Sequence, residues 1–187
     1  MAEAGRTRDE LLAMRCKLGE PLAFQELVAT MERRLFYYVR RFLDDDDEAA
    51  DVLQEVWLTV FQKVRRLKDA GALRPWIYRV AHDRAISRFR HNQKEPAADA
   101  DPLDAVAEEV VEPDWDRLDA RRVHEALGGL SATHREALVL YFIEGMTYDE
   151  IGQVTGASLG LVKSRLHYAK KSLRARLESE HREGRDA

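Results

Sequence analysis

The chain has 187 residues, of which 45% are hydrophobic, and this length suits one domain of ordinary size or two small ones. Its formal net charge is −4, and its single cysteine, Cys16, excludes a disulfide framework and a thiolate zinc site. No apolar run approaches the roughly 18 residues of a membrane span, so we expect a cytoplasmic protein with no membrane contact of its own.

The charge is distributed in blocks along the chain. Residues 63–94 contain ten Lys/Arg against two Asp/Glu, whereas residues 95–119 contain ten Asp/Glu against one Arg. A net charge of −4 spread evenly would argue against nucleic acid as a partner. The local blocks, rather than the total, therefore indicate which segments approach a charged partner.

The hydrophobic pattern predicts an all-α fold, because alternating runs of strand length are absent. Helix one is expected over residues 8–18, ended by Gly19, and helix two over residues 22–43. An acidic turn follows, in which Asp47 is the expected N-cap of helix three. The apolar stripe of helix two consists of Phe24, Leu27, Val28, Met31, Leu35, Tyr38, Val39 and Phe42.

Helix three, over residues 48–67, has one broad apolar face and one polar face. The polar face carries Asp51, Gln54, Glu55 and the apolar Leu58. This face is either a solvated surface with one stray leucine or a docking surface for a basic partner helix. The predicted apolar face consists of Val52, Leu53, Val56, Trp57, Val60, Phe61, Val64 and Leu67.

Helix four follows the loop 68–72 and has Pro75 in its first turn, where proline is tolerated. It interleaves Trp76, Tyr78 and Phe89 with basic residues. Aromatic side chains beside cations suit single-stranded nucleic acid, but an ordinary basic surface helix explains the pattern equally well. The basic residues are Arg74, Arg79, Arg84, Arg88, Arg90 and Lys94.

An acidic segment, residues 95–116, holds three of the five prolines and no helical stripe, which indicates a flexible acidic linker between two small helical domains. The first domain is expected over residues 8–94 and the second over residues 117–177. The remaining segment, 178–187, is expected to be a charged, frayed tail.

The second domain contains a helix-turn-helix pattern between residues 145 and 171. Thr147 is placed to cap a short helix, Gly156 to form the turn, and Ser158 to cap a second helix. Leu159, Val162, Leu166 and Ala169 form the apolar face of the second helix. Such a unit places its second helix in the DNA major groove, although similar hairpins occur in proteins that never bind DNA.

Two stretches resemble the extracytoplasmic-function (ECF) sigma factors of the bacterial sigma-70 family. One is DDDEAADVLQEVWLTVFQKV followed by RPWIYRVAHDRAI, which is similar to domain two of that family. The other is LSATHREALVLYFIEGMTYDEIGQVTGASLGLVKSRLHYAKKSLR, which is similar to domain four. The resemblance as a whole covers residues 8–177. The resemblance implies a sigma factor that binds the clamp helices and the flap of core RNA polymerase and directs it to promoter DNA.

The resemblance also assigns residues. Asp51, Gln54 and Glu55 match the DxxQE stretch that docks on the clamp helices, and Leu58 lies beside them. The loop 68–73 and helix four match the part that reads the −10 element and captures a flipped base. The residues expected around that strand are Asp69, Gly71, Arg74, Arg79, His82, Asp83 and Ser87, with Trp76 packing beneath them.

The last helix of the second domain matches the −35-reading helix. Many members have Thr or Ser where this chain has Leu161, which departs from the family pattern. Lys171 and Arg174 are expected to hold phosphates. The remaining residues expected to contact the −35 element are Lys163, Ser164, Arg165, His167 and Tyr168.

Three other classes of function remain as alternatives to a sigma factor. A plain helix-turn-helix regulator explains the second domain but leaves helices three and four without a role, and an interaction-only helical protein leaves the basic blocks unexplained. An enzyme is disfavoured, because the six histidines show no metal-ligand spacing and no phosphate loop or nucleophile motif is present. No cofactor or metal is expected, and the resemblance adds an anti-sigma factor as an expected partner.

Overall fold

The computed structural model describes residues 2–43, 45–92 and 127–183, which fall into two compact units. Side chains are described for residues 7–43, 45–92 and 127–177. Lys94, the predicted linker 95–116 and residues 117–126 of the predicted second domain lie outside the described residues. Within the described part the chain contains only helices and turns, as the sequence predicted.

The first unit contains four long helices among its described residues. It is called domain one of this chain, and it is the part that resembles domain two of the sigma-70 family. Helix α1 begins six residues earlier than predicted, and α2 ends four residues earlier. The segment predicted as the end of helix three is a short 3-10 turn, Val64–Arg66, and a second 3-10 turn spans Ala70–Ala72. The helices are α1 (Ala2–Leu18), α2 (Ala23–Val39), α3 (Asp46–Lys63) and α4 (Leu73–Asn92).

Helix α3 is capped by Asp45, not by Asp47 as predicted from the sequence. The Asp45 carboxylate accepts a hydrogen bond from the backbone N–H of Glu48 at 2.9 Å. The prediction was wrong because four aspartates stand in a row and any of them offers the same chemistry. The cap satisfies one of the backbone N–H groups that the first helical turn leaves without a partner.

The core of domain one forms where α2, α3 and α4 meet. Tyr38 and Tyr78 are fully buried, and their rings meet edge to face with centroids 5.1 Å apart. Phe61 departs from its predicted place in the apolar face, because 62% of it is exposed, although its ring still contacts Phe24 at 5.1 Å. The other fully buried large side chains in this core include Leu27, Leu35, Val39, Val52, Leu73 and Ile77.

The second unit contains three described helices. It is called domain two of this chain, and it is the part that resembles domain four of the sigma-70 family. The helices are α5 (Ala132–Leu138), which continues into a π-helical turn at Val139–Ile143, α6 (Tyr148–Thr155) and α7 (Leu159–Glu183). Ser131 caps α5 by accepting from the N–H of His134 at 3.3 Å. Helix α7 extends to Glu183, six residues past the predicted end of the second domain at residue 177.

No helix in the described ranges is both long enough and apolar enough to cross a membrane.

Candidate nucleic-acid and polymerase interfaces

The polar face of α3 is partly free and partly engaged within domain one. Asp51 and Gln54 are exposed, and 59% of Leu58 is accessible. Glu55 is only half-exposed, because its carboxylate pairs with Arg84 at 3.0 Å and Arg88 at 3.3 Å on α4. Three of the four predicted docking residues therefore form an open surface, and the fourth also ties α3 to α4.

A groove that was not predicted from the sequence lies between α2 and α3 and borders this surface. Its volume is about 410 Å³, and it shares Gln54 with the polar face of α3. Among the described residues the buried indole Nε1–H of Trp57 has no hydrogen-bond acceptor. The helical periodicity placed Trp57 in the core, and only the three-dimensional packing reveals a groove there. Its lining residues are Glu32, Arg33, Phe36, Ala50, Leu53, Gln54 and Trp57.

The loop before α4 is held in shape by its own aspartate. The Asp69 carboxylate accepts from the N–H of Gly71 at 2.9 Å, which forms a local turn of the kind that Asx residues favour. Both residues are exposed, as expected for residues that contact a partner. Helix α1 packs behind this loop, with the Glu10 carboxylate beside Gly71.

Arg74, at the start of α4, is half-buried near Asp9 of α1. Burial raises the pKa of the Asp9 carboxyl above 3.8, while the positive charges of Arg74 and Arg34 act in the opposite direction. The basic character of Arg74 is therefore moderated by an acid from another helix. Local sequence patterns offer no sign of this neighbour, because it lies 65 positions away along the chain.

The middle of α4 presents a mixed polar surface. Arg79 pairs with Asp83 at 3.1 Å, one helical turn away, and the ring of His82 meets Phe42 edge to face at 6.2 Å. Ser87 is exposed and His82 half-buried. The predicted −10 residues of α4 thus include an ion pair between Arg79 and Asp83, in which each side chain partly neutralises the charge of the other.

Tyr78 corrects the aromatic pattern expected for α4. It is fully buried against Tyr38, so it is not available to stack on a base. Trp76 and Phe89 are half-buried. Trp76 lies two positions before Tyr78, about 200° around the helix, and therefore on the opposite face of α4.

The helix-turn-helix is closed by three local devices. Thr147 and Glu150 form a capping box: the Thr147 N–H donates to the Glu150 carboxylate at 2.7 Å, and the Glu150 N–H donates to the Thr147 hydroxyl at 3.3 Å. Gly156 adopts φ +72°, which allows the sharp turn after α6. Ser158 accepts from the N–H of Leu161 at 3.3 Å and caps α7. All three were predicted, and all three predictions are confirmed.

Helix α7 buries Val162, Leu166 and Ala169 as expected, and its stripe continues through Leu173. Two of the predicted positions are corrected. Leu159 is 44% exposed and does not belong to the buried face, and Ser164 is only 8% exposed and does not face the solvent.

The remaining predicted −35 residues reach the surface to different extents. Lys163, Lys171 and Arg174 are exposed. The rings of His167 and Tyr168 contact each other edge to face at 5.2 Å. Half-burial is shared by Leu161, Arg165, His167 and Tyr168. The accessible cations therefore extend along α7, with less accessible side chains between them.

Lys170 is a buried cation that was not predicted from the sequence. It is 8% exposed, and its ammonium group lies 5.1 Å from the ring centre of Tyr141 and 5.2 Å from that of Phe142. A cation over two aromatic faces is stabilised by the ring quadrupoles. Lys170 therefore joins α7 to the π-helical turn, whereas its neighbour Lys171 faces the solvent. The only sequence signal for the burial of Lys170 was its place next to Ala169, which belongs to the apolar face of α7.

The described residues contain no group of three His, Cys, Asp or Glu side chains arranged to hold a metal ion. Cys16 is buried at 4% exposure, and burial raises the pKa of its thiol.

Family models match both halves of the chain. A model described as Sigma-70 region 2 matches residues 27–95, and a model described as Sigma-70, region 4 matches residues 120–173. The chain is 34% identical over 161 residues to the ECF RNA polymerase sigma factor SigK of Mycobacterium tuberculosis (strain ATCC 25618 / H37Rv), covering 81% of this chain and 84% of that relative. A SigK of Mycobacterium sp. (strain KMS) is 33% identical over 153 residues, covering 77% of each chain.

Solved structures also resemble this chain. CnrH, solved in complex with the cytosolic domain of CnrY, has a TM-score of 0.66 at 25% identity, covering 91% of this chain and 97% of that chain. The sigma factor RpoE of Bartonella quintana, solved with the anti-sigma factor NepR, has a TM-score of 0.65 at 22% identity, covering 84% and 98%. The second likeness supports the fold.

Proposed function

The chain belongs to the ECF group of the sigma-70 family, and we propose that it uses three helix faces to direct RNA polymerase to its promoters. It is a sigma factor that directs transcription initiation. Sigma factors bind core RNA polymerase and promoter DNA, and their family consists of initiation factors rather than enzymes. We propose no catalytic role and no cofactor for this chain, and a place in the cytoplasm with the polymerase.

The docking face proposed for the polymerase clamp helices is the exposed side of α3. One observation carries this proposal: Leu58 is 59% exposed between polar neighbours, on a helix whose other face is buried. Exposed Asp51 and Gln54 add charge and hydrogen-bonding capacity that suits a basic partner helix. Glu55 contributes through its pairs with α4 as well as through any contact with polymerase.

The −10 contacts proposed for domain one surround the start of α4. The exposed Asp69–Gly71 turn offers backbone and carboxylate groups for a flipped base. Extruding a base costs a few kcal/mol of stacking, so a shaped pocket and nearby cations are needed to offset it. The other proposed contacts are Arg74, Arg79, His82, Asp83 and Ser87, and Tyr78 is excluded by its burial.

The −35 contacts proposed for α7 are the accessible residues of the helix. Lys163 and Arg165 suit guanine edges or phosphates, while Lys171 and Arg174 suit phosphates. His167 and Tyr168 complete the set. Ser164 is withdrawn as a base contact, because only 8% of it is accessible. Leu161 is half-buried, and its exposed part suits a thymine methyl group.

Run-off transcription tests the proposal. Purified core polymerase is mixed with a library of random promoters, with and without the full chain, and the transcripts are sequenced. We expect selective transcripts that reveal two promoter elements. Leu58→Asp should abolish them, whereas Lys163→Glu should remove the −35 preference and leave the −10 preference intact. If polymerase does not respond while the chain still binds duplex DNA, the helix-turn-helix regulator becomes the better account.

We further propose that a protein regulator, an anti-sigma factor, covers the docking and −35 faces. The support is the likeness to CnrH, which was solved with the cytosolic domain of CnrY. A regulator of this kind, purified with the chain from its host, should stop run-off transcription when it is added back. A co-purifying protein that leaves transcription unchanged would contradict this proposal.

A further inference from the structure

One carboxylate on the seam between α3 and α4 is shared by two arginines. Arg84 Nη1 donates to Glu55 Oε2 at 3.0 Å, and Arg88 Nη2 donates to Glu55 Oε1 at 3.3 Å. Arg84 Nη2 also reaches the Thr59 hydroxyl at 3.4 Å. Residues 84 and 88 are four positions apart, so both guanidinium groups leave the same face of α4. The cluster therefore carries two positive charges and one negative charge.

All three charged groups remain accessible to a ligand. Solvent reaches 48% of the Arg84 side chain, 29% of Arg88 and 44% of Glu55. An exposed ion pair of this kind contributes only about 0–1 kcal/mol, so another anion competes readily with the carboxylate. Guanidinium groups match phosphate oxygens in geometry, which makes a phosphate the natural competitor.

We propose that Arg84 and Arg88 bind the phosphate backbone of single-stranded DNA, and that Glu55 weakens this binding in the free protein. The class of ligand rests on the proposed function, in which α4 meets the opened promoter strand. With Glu55 in place, an arriving phosphate meets a net charge of +1 on the cluster. When the carboxylate is neutralised, or captured by a cation of a partner, the phosphate meets +2.

The salt dependence of DNA binding measures this effect directly. The full chain is titrated onto a fluorescent oligothymidine at several salt concentrations, and the anisotropy is recorded. Each phosphate neutralised on a single strand adds about 0.7 to the slope of log K against log salt. Glu55→Gln should tighten binding about three- to tenfold at low salt and steepen the slope by about 0.7–1.4.

Asp47→Asn is the matched control, because it changes the charge by the same amount on the exposed part of the same helix. It should change the affinity less than about twofold and leave the slope as it is. The double variant Arg84→Gln with Arg88→Gln should weaken binding, and in that background Glu55→Gln should have no effect. Thermal unfolding of each variant separates loss of folding from loss of binding.

Three results would overturn the proposal. In the first, Asp47→Asn tightens binding as much as Glu55→Gln does. In the second, Glu55→Gln has the same effect with and without the two arginines. Either result would show that the effect comes from the net charge of the protein and not from the cluster. A lower melting temperature for Glu55→Gln with an unchanged slope would make Glu55 a structural brace only. Run-off transcription separates this from the proposed function, because the titration needs no polymerase and either experiment can fail alone.

Discussion

The close contact at Gly152 predicts that the same substitution has opposite effects at two glycines of the helix-turn-helix. A Cβ atom added at Gly152 would lie 2.9 Å from the carbonyl oxygen of Ala157, in the turn that joins α6 to α7. A Cβ atom added at Gly160, in the first turn of α7, would meet nothing within 4 Å. Alanine is therefore compatible with the native packing at the second site and incompatible with it at the first.

The magnitudes follow from the structure. Ordinary contacts of a Cβ atom begin at 3.4 Å, so Gly152→Ala must push the turn outward by 3.4 − 2.9, about 0.5 Å. Overpacking of this kind costs about 1–3 kcal/mol, which a gain of about 1 kcal/mol in helix propensity offsets only in part. Gly160→Ala should instead stabilise by about 0.4–1 kcal/mol. The two variants should thus differ by about 0.4–3 kcal/mol.

Hydrogen exchange followed by mass spectrometry is the suitable assay, because it reports the opening of α6 and α7 separately from domain one. Peptides covering residues 148–183 should exchange faster in Gly152→Ala and slower in Gly160→Ala than in the unmodified chain. A difference of 1 kcal/mol in a domain of this size also moves the melting temperature by about 4–8 °C. Equal or greater protection in Gly152→Ala than in Gly160→Ala would refute the reasoning.

Three further predictions concern other local environments. Thr147→Ala should destabilise domain two by about 1 kcal/mol in denaturant titrations, because it removes the hydroxyl acceptor of the capping box, while Thr147→Ser should restore the loss. Cys16 should not react with Ellman's reagent in the native protein and should react fully in denaturant, because its thiol is buried and its pKa is raised; rapid native reaction would contradict this. Since burial raises the pKa of Asp9 above 3.8, the folded state binds its proton more tightly than the unfolded chain, and this stability is lost as the pH rises through the folded pKa. Asp9→Asn should therefore raise the melting temperature at pH 7 and have no effect below pH 3.8, and a lower melting temperature at pH 7 would show that the charge itself is needed.

Features that depend on a few neighbouring residues were predictable from the sequence. The caps at Thr147 and Ser158 follow from short-range rules, and the structure confirms them. Periodicity likewise placed Val162 and Leu166 in the core. These predictions succeed because a helix fixes which positions three and four residues apart share a face.

Features that depend on packing between helices were not predictable. Ser164 is buried because the protected face of α7 is wider than its apolar stripe, and Phe61 is exposed because α3 meets α2 along a narrower face than its apolar residues suggest. The periodicity of one helix gives the direction of each side chain but not how far the neighbouring helix extends over it. The partners of Glu55 lie 29 and 33 positions away, beyond any local rule.

The same limit applies to the basic block of residues 63–94, in which ten Lys/Arg stand against two Asp/Glu, a balance of +8. In the folded domain, the carboxylates of Asp83, Glu55 and Asp9 each lie near arginines of α4. Two of these three acids are outside the block, so counting along the chain overstates the field that a nucleic acid meets. Counterion release depends on the phosphates actually neutralised. The salt slope for single-stranded DNA should therefore be well below the value for ten phosphates, and it should rise as individual acids are replaced by amides.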